Sequence, residues 1–225
     1  MLSTLMHKDE ANRQIRPMQA VVAIVAIGGP SCAGKSTLVH ALQAYWGTEN
    51  TSILPIDAYY RDHSHVPMEE RLKRNLDAPE ALEWPLLTAH LEALAAGETV
   101  ACPVYDYATH TRRREEAALS PGPVLIVEGL FALWSEAIRR LAAVCVYVDL
   151  PLDRCLDRRI ARDAAERDRT EEQTREQYVR FVQPMAEMHV LPTKALADVV
   201  VSGDEPSAEA AARVVAFIEQ KRALR

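Results

Sequence analysis

Continuous apolar runs alternate along the chain with longer stretches in which apolar residues recur at helical spacing. Val21 to Ile27 is unbroken and rich in β-branched residues, which predicts a strand buried on both faces, as in a parallel sheet. A helix is predicted from Ser36 to about Trp46. Further strand patterns lie at Thr51 to Ile56, Val124 to Val127, Ala143 to Val148 and Asp198 to Val201, and helical patterns at Leu86 to Ala96 and Leu152 to Ala165. Alternation of this kind predicts an α/β fold with a doubly wound parallel sheet.

Two segments depart from it. Between Thr99 and Leu119 the pattern predicts an inserted β-hairpin, with Val100, Cys102, Val104 and Tyr105 on one arm and polar His110 to Glu116 on the turn and return. Arg154 to Arg169 carries six arginines in a helix and the loop after it. Thr170 then restarts a helix, with Gln173 completing a capping box. An arginine-rich segment between two helices predicts a closing lid of the kind found in small phosphoryl-transfer enzymes, here over about 159–171. Residues 1–19 read as a polar tail, and 20–225 as a single domain.

Composition narrows the function. The 225 residues carry 26 basic and 32 acidic side chains, a net charge of −6, which argues against a protein that binds nucleic acid by blanket phosphate neutralisation. Only five of the basic residues are lysines, so a lysine inside a motif stands out. The four cysteines have neither C-x-x-C spacing nor histidines at zinc-ligand intervals, and reduced thiols in a cytoplasm are expected. The apolar run from Ala20 to Ile27 is far too short to span a membrane and is not followed by a signal-peptide cleavage pattern, so no membrane association is expected.

Gly29-Pro30-Ser31-Cys32-Ala33-Gly34-Lys35-Ser36, followed by Thr37, matches G-x-x-x-x-G-K-[ST] between the first strand and the first helix, where a phosphate-binding P-loop belongs. Its backbone N–H groups and the helix N-terminus suit phosphate oxygens, Lys35 suits the β and γ phosphates of ATP, and the Ser36 hydroxyl suits Mg²⁺. Glu128 closes an apolar strand before Gly129, where a carboxylate would join the magnesium shell, although a strand-end acid also serves as a simple cap. Asp57 ends its strand at the sheet edge where ligands bind in open α/β folds. Alone, such an aspartate is as often a turn former.

Taken together, Ser31 to Thr37, Asp57-Ala58-Tyr59-Tyr60, Pro103-Val104-Tyr105-Asp106-Tyr107, Val127-Glu128-Gly129 and Arg162 to Arg169 resemble the uridine kinase family of P-loop pyrimidine nucleoside kinases, in order and spacing, from about Val21 to Val201. The resemblance implies a P-loop NTPase-type fold and transfer of the γ phosphoryl group of ATP, or of GTP, to the 5′-hydroxyl of uridine or cytidine. It implies Asp57 as general base, sharing the magnesium shell with Ser36 and Glu128. It further implies Asp77 on the ribose hydroxyls, Tyr105 and His110 at the pyrimidine edge, Tyr60 and Tyr107 near the base, and Arg159 and Gln177 as further nucleoside contacts. Arg162, Arg167 and Arg169 would grip phosphate. A homo-oligomer, a tetramer, is also implied.

Three positions depart from the family pattern. Ala78 stands where histidine is usual, Asp168 where glycine is usual, and Ser202-Gly203-Asp204-Glu205 where an arginine and paired glycines often follow the last strand, near the expected place of the donor's adenine. Kinases of the same fold that act on ribulose phosphate or pantothenate remain alternatives, as does a regulator that binds nucleotide without catalysis.

Overall fold

Strands that are apolar on both faces bury themselves by lying side by side between helices, and five of them do so here. In the computed structural model, which describes residues 23–223, β1 (Ala23–Gly28), β2 (Thr51–Pro55), β5 (Val124–Glu128), β6 (Val144–Asp149) and β7 (Val199–Ser202) form a parallel sheet in the order β2-β5-β1-β6-β7. Strand order reverses at β1, which places the following loop at the crevice where such sheets bind ligands. The first strand begins at Ala23; Val21, Val22 and the expected tail over 1–19 lie outside the described residues.

Helices cover both faces. On one, α1 (Lys35–Trp46) packs beside α8 (Ser207–Ala223), burying Leu38, Leu42, Val214 and Ile218 against Val25, Ile126 and Val146. The other core gathers Leu87, Leu91 and Leu94 of α3 (Trp84–Ala95), Ile138 of α4 (Glu136–Leu141), and Val100, Cys102 and Tyr105 of the hairpin. Between β2 and α3 lie the Ile56–Tyr59 turn and a single helical turn, α2 (Met68–Arg71). The α8 helix has no counterpart among the sequence expectations, because its apolar residues are mostly alanine and valine and give a weak periodic signal.

The hairpin forms as expected, with β3 (Val100–Asp106) antiparallel to β4 (Thr111–Leu119), and a bulge between Pro103 and Tyr105 bends it. Its anchor is Arg112, which donates from Nε to the Tyr60 carbonyl at 2.7 Å and from a terminal nitrogen to the Tyr59 carbonyl at 3.1 Å, and pairs with Glu83 at 2.8 Å. The arginine-rich segment runs through α5 (Leu152–Glu166) to the start of α6 (Glu171–Gln177), and the Thr170–Gln173 capping box is present. Beyond α6 the helix runs on through π turns at Tyr178–Val182 and Ala186–Val190, either side of α7 (Gln183–Met185). Pro184 lacks the N–H that an α-helical ladder needs, and the wider turn accommodates it.

Candidate active site

Gly28 ends β1 and the chain turns at once into the phosphate loop. Gly29 has φ +137° and a Cβ there would collide with the Val148 carbonyl, so only glycine fits. The loop delivers the N-terminus of α1 to the carboxyl edge of the sheet. There Lys35 curls over it, its Nζ donating to the Gly29 and Pro30 carbonyls at 3.1 and 2.9 Å. Gly203, after β7, presses its backbone onto the Ala33 carbonyl, an approach no side chain would permit. That contact seats the Ser202–Glu205 loop beside the phosphate loop, and Arg158 bridges the two by donating to the Ala33 and Gly203 carbonyls and to Asp204.

All of this opens on one cavity of about 1340 Å³, more than the usual 300–1,000 Å³ of a single-ligand pocket. Of the residues expected at the site, Ser31, Cys32, Gly34, Lys35, Ser36, Thr37, Asp57, Tyr60, Asp77, Tyr107, His110, Glu128, Arg159, Arg162, Arg167, Arg169 and Gln177 line it. Gly29 and Ala33 shape the loop from behind. Tyr105 requires a correction. It is buried in the hairpin core, its ring 5.1 Å from Tyr60 and 5.2 Å from Tyr107, and it forms the wall behind these two rings rather than the cavity's surface. The bulge between Pro103 and Tyr105 changes the facing that strict alternation predicts.

Asp57 lies in the Ile56–Tyr59 turn immediately after β2, and accepts a hydrogen bond at 3.3 Å on Oδ2 from the Tyr107 hydroxyl. Burial raises the Asp57 carboxyl above its ordinary value, against the pull of Lys35. Burial and the Asp57 carboxylate push the Tyr107 phenol upward, so it remains a proton donor. Glu128, at the end of β5, is likewise raised by burial. Asp77 is raised by burial against the opposing effect of Arg159, Arg162 and Arg167, and its backbone N–H is held by the Asn75 side chain at 2.9 Å.

His110 occupies the hairpin turn with φ +50°, and its Nδ1 is buried without a hydrogen-bond partner. Burial, then Arg169 and Arg167, lowers its pKa and favours the neutral ring, which offers an N–H or a lone pair according to tautomer. Arg159 is only 5% exposed; it donates to Ser31 Oγ at 3.3 Å, shares the Gln177 amide oxygen with Arg169, and approaches Asp77 at 3.9 Å. One further charged residue belongs to this network. Asp163, fully buried on the same face of α5 as Arg159 and Cys155, meets Arg159, Arg162, Arg167 and Arg169. The spacing of Arg159 and Asp163, four residues apart in a helical pattern, was the available signal.

The cavity therefore brings buried carboxylates, a cluster of arginines and the phosphate loop together, with Asp77 3.9 Å from Arg159. The profile of the Phosphoribulokinase / Uridine kinase family matches residues 24–205. A uridine kinase of Tolumonas auensis is 41% identical over 182 residues, covering 79% of this chain and 85% of its own. One from Chloroflexus aurantiacus is 40% identical over 202 residues, covering 90% and 97%. Among solved structures, the phosphoribulokinase of Rhodobacter spheroides superposes with a TM-score of 0.59 at 19% identity, over 81% of this chain and 70% of its own, a likeness of fold. Among the described residues no helix is long and apolar enough to cross a membrane.

Proposed function

Since the chain belongs to the phosphoribulokinase/uridine kinase family of P-loop kinases, we propose that it transfers the γ phosphoryl group of ATP to the 5′-hydroxyl of uridine and cytidine, giving the nucleoside monophosphate and ADP. One observation carries the reading: Asp57 lines the same cavity as Lys35 and Ser36 of the phosphate loop and as Tyr107 and His110 of the hairpin. A nucleoside between hairpin and Asp57 would offer its hydroxyl to the carboxylate, with the triphosphate on the loop.

In that arrangement Asp57 accepts the hydroxyl proton as the oxygen bonds to the γ phosphorus and the bond to the bridging oxygen of ADP breaks. A carboxyl raised by burial is a stronger base than one in water, which suits the task. Tyr107 donates to Oδ2 and so orients the carboxylate. Arg162, Arg167 and Arg169 follow the charge that spreads over the equatorial oxygens. Ser36, Glu128 and Asp57 would hold Mg²⁺: two buried carboxylates share the cavity, and a divalent cation would relieve the unfavourable burial that raises both. Magnesium when bound neutralises phosphate charge.

Asp77 would hold the ribose hydroxyls, and His110, neutral and with a free ring nitrogen, would read position 4 of either pyrimidine. The Ser202–Glu205 loop with Arg158 would receive the donor's base, adenine or guanine. This reading also carries a cytoplasmic homo-oligomer, a tetramer, measurable by light scattering. The deciding experiment is a coupled assay with MgATP or MgGTP against uridine, cytidine, adenosine, ribulose phosphate and pantothenate. Turnover of both pyrimidine nucleosides with kcat/KM within about 30-fold, a gap of roughly 2 kcal/mol, is expected; turnover of only a phosphosugar or pantothenate overturns the assignment.

A further inference from the structure

Lone carboxylates are rarely buried completely, because removing the charge from water costs several kcal/mol unless partners replace the lost hydration. Asp163 is fully buried one turn from the end of α5 and is surrounded by guanidinium groups. Its Oδ1 accepts from Arg162 Nε at 3.2 Å and from an Arg162 terminal nitrogen at 3.1 Å, and pairs with Arg167 at 3.2 Å. Oδ2 faces Arg169 at 3.5 Å and Arg159 Nε at 3.6 Å without a formal hydrogen bond. The backbone carbonyl of the same residue accepts from the N–H groups of Arg167 at 3.1 Å and Arg169 at 3.2 Å.

One residue thus gathers the lid turn by its main chain and four arginines by its side chain. All four arginines line the cavity, and Asp163 does not. Four like charges brought this close would otherwise splay into solvent, and the crowding shows at Arg167, whose pKa is lowered by burial first and by Arg162 next. A single negative charge against four positive ones stabilises the cluster while leaving it strongly basic, so it still attracts polyphosphate. Oδ2 accepts no formal hydrogen bond, and Arg159 and Arg169 are held beside it by the Gln177 amide oxygen that they share.

We propose that Asp163 is the positioning residue of the lid: it holds Arg162, Arg167 and Arg169 as a preassembled clamp, so that the transferring phosphoryl group meets guanidinium groups already gathered. This rests on the reading of the lid arginines as phosphoryl contacts. It follows that Asp163 acts on turnover through the arginines and not on nucleoside binding.

The test is a double-mutant cycle on the full chain with MgATP and uridine, reading kcat, both KM values and the melting temperature for Asp163→Asn, Arg167→Ala and the double variant. Asp163→Asn, nearly isosteric but neutral, is expected to lower kcat by about 10- to 100-fold with uridine KM within threefold. The double variant should fall no more than about threefold below the slower single variant, because both remove the same clamp. A kcat for Asp163→Asn within threefold of wild type while Arg167→Ala is impaired overturns the proposal, whatever happens to the melting temperature; so do losses that multiply in the double variant. If Arg167→Ala itself leaves kcat unchanged, the lid reading fails instead. Should Asp163→Asn not fold, Asp163→Glu, which keeps the charge but shifts it by one methylene, enters the same cycle with the same expectation of a shared loss.

Discussion

Asp168 stands between two lid arginines with φ +51°, a left-handed conformation that costs most L-residues about 1–2 kcal/mol and aspartate toward the lower end of that range. Its side chain is exposed and has neither an ion pair nor a side-chain hydrogen bond among the described residues. Replacing it with glycine removes that strain but adds conformational freedom to the unfolded chain, worth roughly 0.5–1 kcal/mol in the other direction. The balance lies between about 0 and 1 kcal/mol in favour of glycine, up to about 4 °C in melting temperature for a chain of this size. The change also deletes a negative charge from the lining of the cavity proposed to hold the polyphosphate. An exposed pair is worth about 0.2–1 kcal/mol, up to roughly fivefold in affinity for a polyphosphate. Asp168→Gly should therefore melt at or slightly above the wild-type temperature and show kcat/KM for ATP raised by up to about fivefold. Differential scanning fluorimetry and initial rates at varied ATP measure both. Two controls separate the contributions: Asp168→Asn tolerates the same φ and should change only the ATP response, whereas Asp168→Ala keeps the strain without a short polar side chain and should melt about 2–4 °C lower. An alanine variant as stable as the glycine one would refute the strain argument, and a glycine variant with weaker ATP use would refute the electrostatic one.

Asp57→Asn should keep MgATP affinity, measured by equilibrium binding, while kcat drops by roughly 10² to 10⁴; turnover within threefold of wild type removes Asp57 as the base. Tyr107→Phe deletes only the hydroxyl that donates to Asp57, so kcat should fall by about 3- to 10-fold in the wild-type background and not further when Asp57 is already asparagine. Asp77 supplies a pH test. Because burial raises its folded-state pKa above the unfolded value, its contribution to stability is present below the unfolded pKa and is lost as pH rises through the folded one. Asp77→Asn should thus melt above wild type at pH 7, with the gap closing as pH falls through the carboxylate range, while uridine KM rises at least 10-fold; a gap independent of pH would contradict the burial argument.

Much of this protein is legible in its sequence. Val124 to Val127 and Ala143 to Val148 are apolar at every position or nearly so, and only a sheet covered on both faces hides such strands, so the parallel α/β fold followed from sequence. The phosphate loop was equally clear, because its chemistry depends on backbone N–H groups and a helix start that are contiguous in the chain. The hairpin and the Thr170 capping box are local features too, fixed by neighbours in sequence. Tertiary structure decided whatever depends on approach between distant segments. A two-residue excess in one hairpin arm, Arg113 to Glu115 against Val104 alone, turned Tyr105 inward and left Tyr107 to reach Asp57, fifty residues away. Gly203 was legible as a glycine but not as the residue that lets one loop rest on another. The role of Asp163 was hidden for the same reason: an aspartate among arginines reads as an exposed charge pattern, and only folding shows that it is buried, where a single carboxylate must be surrounded by cations to be tolerated at all.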